Sequence, residues 1–545
     1  VDSGAPASVL ATFDDVHDTQ LTAEQASVAG SYNGNAMHSW VNSGNIIIEG
    51  GNTSLTNTYS HSGSRSVPGI ETAMNIGTII FQPYKTGGNI YQKYTAAFVV
   101  SNDVSYRDHN IKYNGVTGII RNYTQSGVIF VSDASSPKPF SLVNRGELQL
   151  FGEGSAGIYI KRAAKTNLHF VTNNFALDPS DTTNNTVATG SYKPIEIFGD
   201  KSIGYYNIPS NGNSTTTGNF AVDIGATGKG NVAFSTAAVS NTTAGKNITN
   251  LNINSSNKST NIEGSFGILS NIAINLTSHQ IRIYDKTEKN VGVYPNANVA
   301  LNIGGGNIEL NGGTTAKNNI GIFVNGKGAV KSTGDISVTG GLGNLAIFAV
   351  GGTLPSGTTN QVEVGQVKGT NTKNAVLVYG SNGAKINITK GMTVTGAGVE
   401  ADATTVNKKD TGAAFATGAG TVITMNKATK ATTPNIQITG TKLKDADRYV
   451  GFGLMAQTGG VINAKNNYIK VTNGSTAVAS VGANSNVDMT GSTIEYKGNG
   501  YALYAANGGS INMTNAKLIL DGNAVGYEKV FGAPFKITTS GMSIH

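Results

Sequence analysis

Residues 501 to 522 read YALYAANGGSINMTNAKLILDG, and the three parts of this stretch recur along the chain. The first part is a phrase in which an apolar residue and a Gly or Ala precede an aliphatic and then an aromatic residue. The second part is a Gly- or Asn-containing turn with a short strand, Ser510-Ile511-Asn512-Met513. The third part is another alternating strand at 516–522. A short strand that returns at a fixed interval is the sequence signature of a stacked solenoid.

Copies of the phrase extend over most of the chain, and the interval between them sets the size of the repeat. If Ile462, Val487 and Ile511 are equivalent positions of the second strand, the intervals are 25 and 24 residues. Ile386 and Ile423 fit the same position at longer intervals, which predicts loops inserted near 396–411 and 428–434. The copies are AGIY 156–159, IGYY 203–206, VGVY 291–294, IGIF 320–323, LAIF 345–348 and YALY 501–504, with looser ones at 266–269, 375–379 and 452–455.

Three short strands per repeat predict an all-β fold, a parallel β-helix with coils of about 24 residues. Alternation of apolar and polar residues gives each strand one inward and one outward face. Glycine and asparagine suit the turns because both tolerate left-handed backbone conformations. We expect the aliphatic and aromatic residues of the phrase to form the interior and to stack on their equivalents in neighbouring coils.

The rhythm of the repeat divides the chain into three segments. We predict an N-terminal cap at 1–43, where 14–25 is compatible with a helix, and a β-helix at 44–526. Insertions are expected near 51–140, 163–197, 207–219 and 396–411. A strand segment or truncated coil follows at 527–545.

Composition restricts the class of protein. Charged residues are 13% of the chain, and 71 glycines take much of their place, which is typical of exported β-rich proteins. The net charge is +7, but the Lys and Arg residues are scattered, so we expect no nucleic-acid partner. The absence of cysteine excludes disulfides and thiolate metal sites. Without a signal peptide or an apolar run near 18 residues, the chain is expected to be a mature or excised segment.

The run from Asn144 to Tyr159, N-x-G-x-L-x-L-x-G followed by S-x-G-I-Y, resembles the passengers of type V autotransporters. It is most similar to the large fusobacterial-type autotransporter adhesins, and weaker copies lie at 201–206 and 298–304. The resemblance, over about 44–526, implies a right-handed β-helix displayed on the bacterial cell surface. It also implies membrane attachment only through a C-terminal β-barrel absent from this chain. Recognition in such passengers lies in variable loops, so no binding residue is carried over.

Motifs that would indicate catalysis are weak. The string around Ser202 lacks the G-D-S-G pattern of a serine protease and coincides with a repeat strand. The densest acidic groups, 14–18 and 442–448, are interpreted as a cap and a solvated loop. The seven histidines show no metal-ligand spacing, and Gly304-Gly305-Gly306 is interpreted as a turn because no helix pattern follows it. We therefore predict no catalytic residues, no metal site and no cofactor.

The best candidates for a partner-binding site are aromatic and arginine residues in the insertions at 84–123. Tyrosine supplies rigid contact area, and aromatics with Arg dominate binding hot spots. The alternative is that several of these tyrosines fill coil interiors, and the loops 176–188 and 396–411 are second choices. The candidates are Tyr84, Tyr91, Tyr94, Tyr106, Arg107, Tyr113, Arg121 and Tyr123.

These observations together predict a bacterial surface adhesin without catalysis. Its partner would be a host-cell surface protein or glycan, or another bacterium. Two alternatives stay open: a carbohydrate-active β-helix enzyme, and a structural stalk of a longer adhesin.

Overall fold

The computed structural model of the protein describes residues 8–9, 39–49, 53–58, 72–86, 89–91, 96–100, 110–115, 117–132, 140–144, 146–160, 168–171, 194–207, 216–217, 219–225, 229–236, 245–253, 262–313, 315–399, 410–443, 449–521, 523, 525–529 and 536–545. All regular structure in these residues is β-strand. Within the same ranges, no helix is long and apolar enough to cross a membrane.

The strands fall into two compact units. The N-terminal unit comprises Val1–Lys258 with Gly264–His279, and the C-terminal unit comprises Ser259–Glu263 with Gln280–His545. In each unit the chain visits three sheets in turn: sheet 1 carries the phrase, sheet 2 the strand after it, and sheet 3 the strand that closes the coil. Strands of one sheet pair in parallel with the equivalent strands of the next coil. The predicted all-β parallel β-helix is confirmed, and its right-handedness stays a prediction.

The described part of the N-terminal unit contains strands of all three sheets and an antiparallel hairpin, Tyr84–Thr86 with Asn89–Tyr91. Sheet 1 contains Ser8–Val9, Thr53–Thr58, Ala96–Val100, Val128–Ser132, Ala156–Ile160, Ile203–Asn207, Val232–Thr236 and Phe266–Ser270. Sheet 2 contains Ser39–Asn42, Thr72–Asn75, Asn110–Asn114, Phe140–Asn144, Leu168–Val171 and Thr216–Thr217. Sheet 3 contains Asn45–Glu49, Thr78–Gln82, Ile119–Asn122, Glu147–Leu150, Ile195–Ile197, Asn219–Ile224 and Gly245–Ile253. The strand Ile274–Ile283 crosses the division between the units.

The C-terminal unit repeats the same order with shorter intervals. Sheet 1 contains Val291–Pro295, Ile320–Lys327, Leu345–Thr353, Val376–Ser381, Gly412–Thr417, Phe452–Gln457, Thr476–Val481, Tyr501–Ala506 and Val525–Lys529. The strand Ala300–Asn311 pairs with sheet 2 through its first half and with sheet 3 through its second half. Sheet 2 continues with Ala329–Ser332, Val362–Val364, Lys385–Ile388, Val422–Thr424, Val461–Asn463, Asn486–Asp488, Ser510–Asn512 and Lys536–Thr538. Sheet 3 continues with Asp335–Thr339, Val367–Thr370, Met392–Gly398, Ile436–Thr439, Tyr468–Thr472, Thr493–Lys497, Lys517–Asp521 and Ser543–Ile544.

Two small pairings complete the C-terminal unit. Ile262–Glu263 pairs in parallel with Thr287–Glu288, and Thr441–Lys442 forms an antiparallel hairpin with Tyr449–Val450.

The predicted register of the repeat is confirmed. Ile462 pairs with Val487, and Val487 pairs with Ile511. The wider intervals also hold, because Ile423 pairs with Ile386 on one side and with Ile462 on the other. These side chains are at most 1% exposed, so they form the like-on-like interior that the repeat predicts.

The predicted segment limits can be compared with the strands at several points. Ser39–Asn42 already pairs with Thr72–Asn75, so sheet 2 begins before residue 44. Strands of sheets 2 and 3 lie inside 163–197 and a strand of sheet 2 lies inside 207–219, whereas 428–434 has none. The helix expected at 14–25 lies outside the described residues. Lys536–Thr538 and Ser543–Ile544 pair in parallel with strands of the preceding coil.

Candidate functional site

The aromatic residue of the phrase lies on the outer face of sheet 1, so the expectation that it fills the interior is wrong. Phe323 is half-buried, whereas its neighbours Ile322 and Val324 are fully buried. The Gly or Ala of the phrase is small for a separate reason. A Cβ on Gly321 would lie 2.7 Å from the carbonyl oxygen of Ala346 and 3.1 Å from a methyl group of Ile336. Close packing against the next strand of sheet 1 and against sheet 3 therefore favours small residues at this position.

In the C-terminal unit, the outward rings of sheet 1 contact their equivalents in neighbouring coils and form what we call the sheet 1 ladder. Its centroid distances are 5.2, 5.4, 4.9 and 5.4 Å in chain order. The interplanar angle is 24° and 5° for the first two pairs and 50° and 62° for the last two. The five rings are all half-buried. They belong to Tyr294, Phe323, Phe348, Tyr379 and Phe415.

Buried amide and hydroxyl side chains form a second kind of ladder at the corners of the coils. Asn42 donates to Asn75, and Asn75 donates to Asn114, each at 2.8 Å. Asn319 and Asn344 are linked in the same way in the C-terminal unit, at 3.2 Å. Each side chain satisfies a buried polar group of the neighbouring coil. Asn42, Asn75 and Asn319 each begin an N-x-G element, so this element contributes to the ladder as well as to the turn.

The serine of the S-x-G element belongs to such a corner ladder. Ser202 is fully buried, and its Oγ accepts the backbone N–H of Ser155 at 3.0 Å. The same Oγ lies 3.1 Å from the carbonyl oxygen of Gly152, to which it donates. The Ser202 backbone N–H donates to Asn231 at 2.7 Å. These contacts give Ser202 a structural role at the corner of the coil.

Tyr123 is the exposed end of a third ladder, which we call the sheet 3 ladder. The rings of Tyr123, Phe151 and Phe198 follow three consecutive strands of sheet 3 in the N-terminal unit. Their centroids are 4.5 and 4.7 Å apart, with interplanar angles of 8° and 11°. In the next coil Gly225 occupies the equivalent position, and a Cβ there would lie 2.6 Å from the Phe198 ring. One end of the ladder is thus closed by backbone, and the other end is Tyr123.

The exposure of Tyr123 is unusual for this protein. Its exposed fraction is 40%, and among the described residues only Ile47 and Ile544 are large apolar side chains with more. In the preceding coil, the position in register with Tyr123 is Gln82, since Phe81 pairs with Asn122. The Gln82 amide donates at 2.6 Å to Glu49, its register partner in the coil on the side away from Tyr123. Among the described residues, the Tyr123 ring therefore stacks on Phe151 on one side and contacts no ring on the other.

Arg121 lies two residues before Tyr123 and begins a row of polar side chains on the outer face of sheet 3. Arg121 Nε donates to Gln149 Oε1 at 2.8 Å, and Gln149 Nε2 donates to Glu196 Oε2 at 2.6 Å. Glu147 lies 3.5 Å from the Arg121 guanidinium. This row places a cation, an amide and carboxylates next to the exposed ring, which is a mixture that hydrogen-bonds sugars and peptide groups alike.

The other predicted site residues are distributed around this point. Tyr84 and Tyr91 are register partners in the antiparallel hairpin, which begins two residues after Gln82. Tyr113 lies on Asn110–Asn114 and pairs with Met74 and Val143 in sheet 2. Tyr94, Tyr106 and Arg107, together with the loop 176–188, lie outside the described residues. The structure thus brings Arg121 and Tyr123 together, with the hairpin on the adjoining coil.

The outer face of sheet 3 in the C-terminal unit carries a hydrogen-bonded cluster of ionisable side chains. Tyr468 Oη donates to Glu495 Oε2 at 2.6 Å, and Lys470 lies 2.7 Å from Glu495 Oε1. Burial and the bond to Glu495 raise the pKa of Tyr468 to about 12. Burial opposes ionisation of Glu495, but the bonds from Lys470 and Tyr468 outweigh it and lower its pKa. The tyrosine hydroxyl and the lysine ammonium therefore both bind the Glu495 carboxylate, one at each oxygen.

The remaining candidates for chemistry are accounted for as follows. Gly304-Gly305-Gly306 lies within Ala300–Asn311, at the corner where that strand passes from sheet 2 to sheet 3. The acidic groups 14–18 and 444–448 and the loop centre 400–409 are outside the described residues. In the described residues, no group of three or more His, Cys, Asp or Glu could hold a metal ion.

Comparisons with known proteins identify no relative of this chain. No protein-family model, curated protein or solved structure matches this chain.

Proposed function

We propose that this chain is a segment of a bacterial surface adhesin, an autotransporter passenger that binds a receptor with the exposed end of the sheet 3 ladder and the hairpin beside it. The receptor is a protein or glycan on a host cell or on another bacterium. The autotransporter part of the proposal depends on the resemblance of the N-x-G and S-x-G-I-Y elements. The binding part depends on the arrangement around Tyr123.

The observation that carries the binding part is a ring held rigidly but left exposed. The Tyr123 ring stacks on Phe151 with their centroids 4.5 Å apart, so its orientation is set before a partner binds. A preorganised aromatic side chain loses little conformational entropy on binding. The neighbouring row that begins at Arg121 offers hydrogen-bond donors and acceptors to a partner beside the ring. Aromatic residues with Arg are the usual centre of a protein-recognition hot spot.

Receptor capture tests the binding part. The full 545-residue chain is immobilised and exposed to labelled surface proteins from host cells, to whole bacteria and to a glycan array. A variant whose hairpin residues 84–91 are replaced by a short Gly-Ser link should capture the partner at least tenfold less well. The matched control shortens the antiparallel hairpin of the C-terminal unit by removing 444–448, and it should bind like the original chain.

Three outcomes would contradict the proposal. Equal capture by the original chain and the 84–91 variant would favour a stalk or another binding loop. Release of products from a polysaccharide panel would favour a carbohydrate-active enzyme. Protection of this chain from protease added to intact source cells would contradict surface display.

A further inference from the structure

Four lysines cluster at the corner between sheets 2 and 3 of the C-terminal unit, and we call this cluster the lysine corner. Lys390, Lys427 and Lys465 each occupy the turn that follows a sheet 2 strand in three consecutive coils. Lys430 lies in the adjoining loop 428–434. The corner is described without gaps, because 385–398, 421–443 and 461–472 all belong to the described ranges.

The three turns are in direct contact. The backbone N–H of Lys427 donates to the carbonyl oxygen of Lys465 at 3.0 Å. On the other side, a Cβ on Gly391 would lie 3.3 Å from Cγ of Lys427. Neighbouring coils of parallel strands are about 4.8 Å apart, so the lysines form a line along the stack.

Carboxylates balance only part of this charge. Lys465 lies 3.3 Å from Asp488, and Lys390 lies 3.9 Å from Asp335. Asp335 is also the partner of Lys368, at 2.8 Å. Among the described residues, neither Lys427 nor Lys430 has a carboxylate within ion-pair distance. The middle of the line therefore carries uncompensated positive charge.

The surface next to the lysine corner is polar and unsuited to bases or lipid. The outward residues of sheet 2 in the same three coils are Asn387, Thr424 and Asn463, which pair in register. Asn463 Nδ2 donates to Thr424 Oγ1 at 3.4 Å, and all three side chains are half-buried. Amides and a hydroxyl bind sugar hydroxyls, whereas these three positions offer neither an aromatic ring for a base to stack on nor an apolar side chain to insert into lipid.

We propose that the lysine corner binds a linear sulfated polysaccharide that lies along the stack of coils. The ammonium groups contact the sulfates, and the amide row contacts the sugar hydroxyls. This site is separate from the receptor site around Tyr123, and the two proposals can fail independently.

Heparin is the probe for this proposal. Its affinity for the full chain is measured by calorimetry at several salt concentrations, for the original chain and for a Lys427→Gln/Lys430→Gln variant. Glutamine keeps the Cγ of residue 427 that packs on Gly391. We expect the variant to bind about tenfold more weakly and the salt slope to fall by roughly two. The matched control is Lys317→Gln/Lys373→Gln, two exposed lysines at the corner between sheets 3 and 1.

Heparin binding by the variants, compared with the binding of other ligands, decides whether the proposal holds. Retained heparin binding by the control and by Tyr123→Ala, with weak binding of desulfated heparin, supports the proposal. Equal losses in both lysine pairs would overturn it, because the effect would then follow net charge alone. Tighter binding of single-stranded DNA, or of vesicles made of phosphatidylcholine and phosphatidylserine, would also overturn it.

Discussion

The sheet 3 ladder of the N-terminal unit and the sheet 1 ladder of the C-terminal unit are both built from ring–ring contacts, but they differ in how exposed their rings are. The first has three nearly parallel rings, and its terminal ring, Tyr123, is 40% exposed. The second has five half-buried rings, and it continues beyond Phe415 to the buried Phe452 at 6.2 Å in an edge-on contact. A ring inside a ladder has both faces covered, so only a terminal ring can offer a face to a partner. Ladders therefore stabilise the stack, and function is expected at an exposed end.

The largest effect is expected for a ring in the middle of the sheet 1 ladder. Phe348→Ala removes contacts with Phe323 and Tyr379 and should lower the free energy of unfolding of the C-terminal unit by about 2–3 kcal/mol. Receptor binding should be unchanged. Denaturant unfolding, with hydrogen exchange in Ile320–Lys327 and Val376–Ser381, measures the change. Phe348→Tyr is the control, and a loss below about 0.5 kcal/mol for the alanine variant would show that the ladder adds no stability.

A smaller effect on stability, with a second effect on binding, is expected at the middle of the sheet 3 ladder. Phe151→Ala should cost about 2 kcal/mol, because Tyr123 and Phe198 each lose a stacked neighbour. It should also weaken receptor binding, because the Tyr123 ring is no longer held. Thermal unfolding and receptor capture of the same preparation measure both. If Phe151→Ala captured the receptor as well as Phe151→Tyr does, Tyr123 would have no role in binding.

The repeat in the sequence was sufficient to predict the coils but not the direction of every side chain. Ile462, Val487 and Ile511 could be aligned because their strands alternate cleanly between apolar and polar residues. The phrase does not alternate, since Ile322, Phe323 and Val324 are all apolar. A parallel strand with apolar residues on both faces leaves the inward side undecided, and this is why the rings were placed inside.

The sites were less accessible to sequence reasoning for a related reason. Arg121 and Tyr123 stood out because they are two residues apart in an aromatic-rich stretch. The lysine corner was missed because Lys390, Lys427 and Lys465 belong to three different coils. They become neighbours only once the lengths of the inserted loops are known. The recurring Asn before Gly was interpreted as a turn signal, although its regular recurrence could have indicated a ladder.

The smallest effect is a pH dependence that should distinguish the ionic face of sheet 3 from the aromatic ladders. The pKa of Glu495 is lowered in the folded chain by its bonds to Lys470 and Tyr468, which outweigh burial. Its contribution to stability is therefore present above the ordinary glutamate pKa and is lost as the pH falls through the lower folded value, below roughly pH 4. Hydrogen exchange in Tyr468–Thr472 should accelerate there, by an amount equivalent to about 1 kcal/mol.

Glu495→Gln is the matched variant for this pH prediction. It should remove the acid dependence in Tyr468–Thr472 and leave exchange in Ile320–Lys327 as it was. An unchanged acid response in the variant would assign the effect to other carboxylates, of which Asp335 and Asp488 also have lowered pKa values.

The most direct test of the account compares two tyrosines of the N-terminal unit in one binding measurement. Tyr123 is an exposed ladder end, whereas Tyr159 is half-buried on sheet 1 and stacks on Tyr206 at 5.1 Å. With the captured receptor as ligand, Tyr123→Ala should raise the Kd at least tenfold, equivalent to about 1.4 kcal/mol, while changing stability by less than about 1 kcal/mol. Tyr159→Ala should leave the Kd within about twofold. Equal Kd values for the two variants would contradict the claim that the exposed end of the sheet 3 ladder is the binding site.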